Sequence, residues 1–140
     1  MERRIFLQKS CLACGSLLLM NAMLSSCSTL PLVQGKTEDQ QMFISKMEFA
    51  QGNVIIARSN KIDTDILIRK KENSFVALRM MCSHEEQPLT ATADQLHCVS
   101  HGSSFNMEGE VLREPATKPL KKYRITETEN AIIIHLNQFV

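Results

Sequence analysis

The sequence predicts an all-β domain, either a sandwich or a barrel-like arrangement of short strands. From residue 43 onward, short apolar runs rich in β-branched and aromatic residues alternate with polar turns. Outside residues 1–26, no useful length of sequence has the period of an amphipathic helix. Strands at this spacing are typical of all-β domains. A chain of 140 residues that begins with a leader has room for one such domain with a modest core.

The strands are predicted in three pairs, each divided by a polar segment. Residues 43–47 and 54–57 lie on either side of the turn-like Gln51-Gly52-Asn53. The other two pairs are predicted to be hairpins, because two apolar runs bracket a polar turn. They are residues 66–69 with 75–79, and residues 122–125 with 131–135.

Residues 1–26 are predicted to be a signal peptide. A basic start, Met1–Lys9, precedes an apolar run, Cys11–Met23, that is shorter than the roughly 20 residues a bilayer span needs. Arg3-Arg4-x-Phe6-Leu7 resembles the twin-arginine export motif, although Glu2 stands where Ser or Thr is usual. A general secretory leader with an incidental Arg pair, or an uncut signal anchor, remains an alternative.

Leu24-Ser25-Ser26-Cys27 resembles a bacterial lipobox, in which cleavage exposes a cysteine that carries lipid. Each buried CH₂ of an acyl chain contributes about 0.8 kcal/mol, so several chains on Cys27 would form a stable membrane anchor. In the alternative interpretation, Cys27 merely follows an ordinary cleavage site. Residues 27–41 are polar and are predicted to be a tether, which leaves residues 42–140 as the folded domain.

The charge balance gives no indication of nucleic-acid binding. Sixteen basic residues face fifteen acidic ones, and removal of residues 1–26 takes away three basic residues and one acidic residue. That balance leaves a soluble partner, a membrane surface or a small electron donor all open, and lipid on Cys27 would provide the contact with a membrane. The predicted location is outside the cytoplasm, on a membrane facing the bacterial periplasm or the cell surface.

Two short Cys/His units carry the predicted chemistry. Cys82-Ser83-His84 and Cys98-Val99-Ser100-His101 are separated by the thirteen residues 85–97. Each unit offers one thiolate and one imidazole, unlike the common zinc arrangement of paired cysteines followed by paired histidines. Two such loops can place both cysteines on one iron of a [2Fe–2S] cluster and both histidines on the other. A tetrahedral zinc site, or a disulfide between the two cysteines, is the alternative.

At these units the sequence resembles the Rieske iron–sulfur family. The matching positions are Cys82-x-His84, Cys98-x-x-His101-Gly102-Ser103, Phe105, Gly109, Pro115-Ala116 and Leu120. The resemblance implies an antiparallel β-sandwich with a small cluster-binding subdomain. It also implies a [2Fe–2S] cluster held by the two cysteines and two histidines.

The resemblance implies a one-electron carrier, or the electron-transfer subunit of an oxidoreductase, with a redox protein or a quinol-type donor as partner. Substrate chemistry by this chain alone is not expected, because the sequence offers no nucleophile–base pair, phosphate loop or second catalytic metal site. The alternative function is a zinc-stabilised or cofactor-free binding module.

Other positions are expected to set the reduction potential. Ser103 matches the position whose hydroxyl donates to a bridging sulfide in high-potential family members, but Phe105 stands where those members carry Tyr. Glu85 and Glu86 follow His84 and are expected to lower the potential, unless they are merely solvated. We therefore expect a value in the lower or middle part of the Rieske range of about −150 to +300 mV.

The remaining motifs are given simpler interpretations. Gln87 and Ser100 replace the disulfide cysteines of family members from cytochrome bc-type complexes, so that bridge is not expected. Residues 113–117 resemble the family's third loop, which covers the cluster, although Glu114 replaces a common Gly. His97 and His135 are not expected to be ligands.

Overall fold

The structure is a computed structural model that describes residues 29–140. The predicted signal peptide and the predicted lipid site at Cys27 lie outside these residues. The described chain forms twelve β-strands and a 3₁₀ turn at Lys46–Phe49. The strands are β1 (Leu32–Gln34), β2 (Lys36–Glu38), β3 (Gln41–Ser45), β4 (Val54–Arg58), β5 (Ile66–Lys70), β6 (Phe75–Arg79), β7 (Leu89–Ala91), β8 (Gln95–Cys98), β9 (Ser104–Asn106), β10 (Val111–Arg113), β11 (Lys122–Glu127) and β12 (Ala131–Phe139). With no α-helix among these residues, the all-β prediction is confirmed.

Eight strands form one nearly closed sheet in the order β1-β4-β5-β6-β11-β12-β3-β2. All neighbours are antiparallel except β1 and β4, which run parallel. The two edge strands, β1 and β2, are separated in the chain only by Gly35. The Gly35 N–H donates to the Arg58 carbonyl at 2.8 Å, and the Thr37 hydroxyl donates to the Ser59 hydroxyl at 2.8 Å. The two edges of the sheet therefore meet, which removes open edges that could pair with other chains.

The tether prediction fails for residues 32–38, which form β1 and β2. This segment is short and polar, so its sequence lacks a strand signal. Its backbone groups are satisfied by pairing with β4 and β3, respectively. The first predicted strand also ends earlier than expected. Lys46 and Met47 belong to the 3₁₀ turn, where the Ser45 hydroxyl accepts from the Met47 N–H at 3.2 Å.

Both predicted hairpins are confirmed. β5 pairs with β6, and β11 pairs with β12, which extends beyond the predicted end at His135 to Phe139. Alternate residues of these strands point into the sheet's interior, because side chains alternate along a strand. The resulting core contains Met42, Ile44, Phe49, Ile55, Ala57, Ile66, Ile68, Ala77, Tyr123, Ile132 and Ile134.

A second sheet of four short strands, in the order β10-β9-β8-β7, carries the Cys/His units. It is inserted between β6 and β11, which nevertheless pair with each other through Leu78 with Lys122 and Ala77 with Tyr123. A separate core joins this small sheet to the large one. It contains Leu67, Leu78, Met80, Cys82, Leu89, Leu96, Cys98, Phe105, Met107, Ala116 and Leu120.

The two sheets together match the predicted architecture of a β-rich base with a small attached subdomain. Across residues 29–140, no helix is long and apolar enough to cross a membrane.

Candidate metal centre

The first Cys/His unit lies in a tight turn between β6 and β7, which we call the first loop (Cys82–Gln87). The Cys82 N–H donates to the Gln87 carbonyl at 2.8 Å, and the Glu86 N–H donates to the Cys82 carbonyl at 2.8 Å. Glu86 has φ +50°, in the left-handed region. A bridge between Met81 and Pro88 closes the base of the turn. These bonds fold the chain back on itself so that Cys82 points inward and His84 outward.

The second unit lies between β8 and β9, in what we call the second loop (Cys98–Ser103), and its backbone repeats the same pattern. The Cys98 N–H donates to the Ser103 carbonyl at 2.8 Å, and the Gly102 N–H donates to the Cys98 carbonyl at 2.9 Å. Gly102 has φ +82°, a conformation that glycine adopts without steric cost. The two loops are thus built on one hydrogen-bonding scheme.

The structure brings the four predicted ligands to one tip of the molecule. Cys82 and Cys98 are free thiols and are buried, with 1% and 2% of their surface exposed. His84 and His101 are exposed, and their ring centroids lie 5.1 Å apart at an interplanar angle of 85°. The buried sulfur pair and the exposed imidazole pair match the division that a two-iron centre with Cys₂His₂ ligands requires.

The second loop stabilises the thiolate form of Cys98. Burial raises the pKa of the Cys98 thiol, but the backbone N–H groups of His101 and Ser100 and the neighbouring Cys82 thiol lower it further than burial raises it. The net pKa is therefore below the ordinary value for cysteine. Because the thiolate is the form that binds metals, this environment favours a metal ligand at Cys98.

Glu85 and Glu86 have different surroundings. A carboxylate oxygen of Glu85 lies 3.6 Å from Nε2 of His101, and ligand atoms of His84, Glu85 and His101 all lie within 4.8 Å of one another. The Glu86 carboxylate instead accepts from Arg79 at 3.1 Å and from Lys121 at 3.2 Å. These two cations lower the pKa of Glu86.

Ser103 connects the second loop to a third segment, residues 114–121, between β10 and β11. Its hydroxyl is fully buried and accepts from the Ala116 N–H at 3.0 Å. Since the oxygen acts as acceptor in that bond, the hydroxyl proton remains free to donate. Glu114–Pro115 is a cis peptide bond, and the Ser83 hydroxyl donates to the Lys118 carbonyl at 2.5 Å. This segment therefore contacts both Cys/His loops.

The remaining residues considered in the sequence analysis do not contribute ligand side chains to this site. Phe105 is fully buried in the second core. His97 lies on β8 and pairs with Thr90 and Ser104, while His135 contacts the Thr126 hydroxyl at 2.8 Å. Gln87 and Ser100 are exposed.

The sequence analysis missed Arg79 and Lys121. Each lies at the border of a predicted strand in a chain with many surface charges, so composition did not distinguish either residue. The only available signal was their position, because Arg79 ends the strand before the first loop and Lys121 precedes the strand after the third segment.

The inserted sheet carries two similar loops, which together present two buried thiols and two exposed imidazoles. This arrangement is that of a metal-binding β-domain. The family model described as the Rieske [2Fe-2S] domain matches residues 32–124, which is more than half of the chain. The chain belongs to the Rieske [2Fe-2S] domain family. Its cofactor is accordingly a [2Fe–2S] cluster, and its role lies in electron transfer.

Two solved structures show the same fold at low sequence identity. The plasma-membrane Rieske protein of the cyanobacterium Synechocystis PCC 6803 is 18% identical, with a TM-score of 0.52 over 64% of this chain and 93% of that one. A chain from the complex of reduced oxygenase and oxidised ferredoxin in carbazole 1,9a-dioxygenase is 17% identical, with a TM-score of 0.53 over 74% of this chain and 99% of that one. No curated protein matches this chain in sequence.

Proposed function

We propose that this chain is an exported, membrane-anchored Rieske protein that transfers one electron at a time, as a carrier or as the electron-transfer subunit of an oxidoreductase. The observation that carries the proposal is the division of the four donors at the tip. The thiols of Cys82 and Cys98 are buried, whereas His84 and His101 face solvent. A redox partner can therefore approach the imidazoles directly.

Cys82 and Cys98 are assigned to one iron as thiolates, and His84 and His101 to the other as imidazoles. When bound, the [2Fe–2S] cluster exchanges single electrons. The chain keeps water from the sulfur ligands by burying them among residues of the second core. It also fixes both cysteine backbones through the repeated hydrogen bonds of the first and second loops.

Three further residues are assigned to tuning of the centre. Ser103 offers a buried hydroxyl proton, which would raise the potential. Glu85 places a carboxylate beside His101, and Glu86 lies next in the chain, so their negative charges would lower it. Because Phe105 has no hydroxyl, we expect a reduction potential in the lower or middle part of the Rieske range of about −150 to +300 mV.

The decisive experiment is anaerobic production of residues 28–140 in a host that assembles iron–sulfur clusters. We expect coloured protein with iron and sulfide in equal amounts and a paramagnetic spectrum on reduction. A redox titration then gives the potential. Colourless protein without iron, from a host shown to load another Rieske protein, would contradict the proposal.

A zinc-stabilised binding module is the second candidate, favoured by the close approach of donors in His84, Glu85 and His101. Zinc accepts nitrogen and oxygen ligands in tetrahedral sites. Zinc gives neither colour nor a paramagnetic signal, so metal analysis together with spin resonance separates the two candidates. Protein that binds zinc tightly and never acquires iron would favour the module.

The proposed membrane anchor is lipid on Cys27, on a membrane that faces the bacterial periplasm or at the cell surface. We expect the substitution Cys27→Ser to move the protein into the soluble fraction, because the acyl chains would be lost. Mass spectrometry of the amino-terminal fragment measures the lipid directly. Ser25→Ala, in the same motif, is the control, and retention of Cys27→Ser in membranes would contradict lipidation.

A further inference from the structure

The first and second loops reach the same backbone shape with different residues at the strained position. In the second loop this position is Gly102, with φ +82°. In the first loop it is Glu86, with φ +50°, where a side chain is sterically disfavoured. The first loop must therefore be stabilised by something that the second loop does not need.

The side chain of Glu86 supplies such stabilisation. Its carboxylate accepts from the Arg79 guanidinium at 3.1 Å through both oxygens and from the Lys121 ammonium at 3.2 Å. Arg79 is the last residue of β6, and Lys121 immediately precedes β11. The carboxylate thus joins the first loop to the two neighbouring strands of the large sheet.

The two cations are themselves held in place. The Arg79 N–H donates to the Lys121 carbonyl at 3.0 Å, which fixes the spacing between them. The Arg79 side chain is only 16% exposed, and the Lys121 ammonium also lies 5.7 Å from the ring centroid of Phe139. Glu86 therefore meets a pre-arranged pair of donors.

We propose that Glu86 is a positioning residue, which fixes the first loop for ligand binding by attaching it to Arg79 and Lys121. The proposal rests on the function proposed above and refines the assignment of Glu86 to tuning. The Glu86 carboxylate contacts Arg79 and Lys121 rather than a ligand side chain, so we expect it to act less on the potential of the centre than Glu85 does. Glu85, which faces His101 instead, is the carboxylate that acts on the potential.

The test compares four single substitutions, one of them a control, in the anaerobically loaded full-length chain. Glu86→Gln removes the charge, and Glu86→Gly removes the side chain but suits the positive φ. Glu85→Gln removes the adjacent charge, and Glu72→Gln, in the turn between β5 and β6, is the control. Cluster loss in the presence of an iron chelator, hydrogen exchange at the Cys82 amide and the reduction potential are measured for each.

We expect Glu86→Gln to speed cluster loss and Cys82 exchange by roughly two- to tenfold, the range expected when one or two exposed ion pairs are removed. Glu86→Gly should be better protected than Glu86→Gln, because glycine adopts the positive φ without steric cost. Their potentials should shift less than that of Glu85→Gln. Glu85→Gln should shift the potential without speeding either process. Salt at about 1 M should reduce the difference between wild type and Glu86→Gln, because it screens exposed charges.

Lys121→Gln should reproduce part of the effect of Glu86→Gln, because the contact between Glu86 and Arg79 remains. The double variant should be no worse than Glu86→Gln alone, since Glu86→Gln already removes the contact with Lys121. Two results would overturn the proposal. One is that Glu86→Gln and Lys121→Gln are both as protected as the wild type, which would mean that backbone shape alone fixes the loop. The other is a Glu86→Gln chain with a raised potential and unchanged exchange, which would mean that Glu86 tunes the centre.

The function and the positioning role can fail separately. If the wild-type chain never acquires iron, the proposed function fails, yet exchange at the Cys82 amide in the isolated chain still reports whether Glu86 fixes the loop. If the wild-type chain is loaded normally and the Glu86 variants match it, only the positioning role is lost.

Discussion

The first and second loops are two solutions to one structural problem. In both, the cysteine N–H donates five residues ahead and its carbonyl accepts from the residue four ahead, which has a positive φ. The second loop meets this demand locally, with Gly102 and the buried Ser103. The first loop meets it with Glu86, which relies on charges from outside the loop. Similar backbones can therefore depend on local geometry in one case and on long-range contacts in the other.

The largest expected effect is loss of the cluster, and we expect it equally from a cysteine substitution in either loop. Replacement of either Cys82 or Cys98 by Ser should abolish the centre, because the harder hydroxyl is a poor substitute for a thiolate. Iron and sulfide content and visible absorption measure the loss. The control is His97→Gln. His97 is adjacent to Cys98 but is not assigned as a ligand, so this variant should keep its cluster. A Cys82→Ser chain with a normal spectrum would show that the loops are not equivalent as ligand sources.

Gly102→Ala tests whether the second loop depends on backbone freedom. Apart from the two adjacent residues, the chain places no atom within 4 Å of the added Cβ, so the expected loss is that of a left-handed residue alone, about 1–2 kcal/mol. Urea titration of the loaded protein measures the apparent free energy of unfolding. Gly52→Ala also has open space but no positive φ, and should be close to neutral. Equal losses of stability in both variants would contradict the claim that the second loop depends on the positive φ of Gly102.

Ser103→Ala tests the buried hydroxyl of the second loop. If its proton reaches the centre through a hydrogen bond that is about 1–2 kcal/mol stronger in the reduced state, the loss of that bond lowers the potential by roughly 40–90 mV. The substitution also leaves the Ala116 N–H without its partner, so we expect lower stability. Ser104→Ala, at the adjacent buried serine, is the control. A redox titration with no shift would remove Ser103 from the tuning residues.

The smallest effect is expected at Glu85 in the first loop. Glu85→Gln removes a carboxylate 3.6 Å from His101 and should raise the potential, because a negative charge disfavours reduction. The carboxylate is 56% exposed, so screening limits the shift to about 40 mV or less. Titrations at low and high salt should give a larger shift at low salt. A lower potential in the variant would reverse the assigned sign.

Much of the molecule could be predicted from local sequence patterns. The strands around residues 66–79 and 122–135 follow from apolar runs that bracket polar turns, and the Cys/His spacing indicated two loops that converge. The strands at residues 32–38 could not be predicted, because their stability comes from pairing with distant strands and from the meeting of the two sheet edges at Gly35. The role of Glu86 was hidden for the same reason. It depends on Arg79 and Lys121, which only the folded chain brings together.

The insertion of the small sheet between β6 and β11 has a consequence for engineering. Residues 80–121 leave the large sheet and return to it at neighbouring positions, where Leu78 already faces Lys122. The segment that carries the metal centre is therefore an insertion between two hydrogen-bonded strands of the large sheet, and its two ends lie next to each other. The corresponding insertion of another family member could therefore replace residues 80–121, joined after β6 and before β11, while the large sheet is left unchanged.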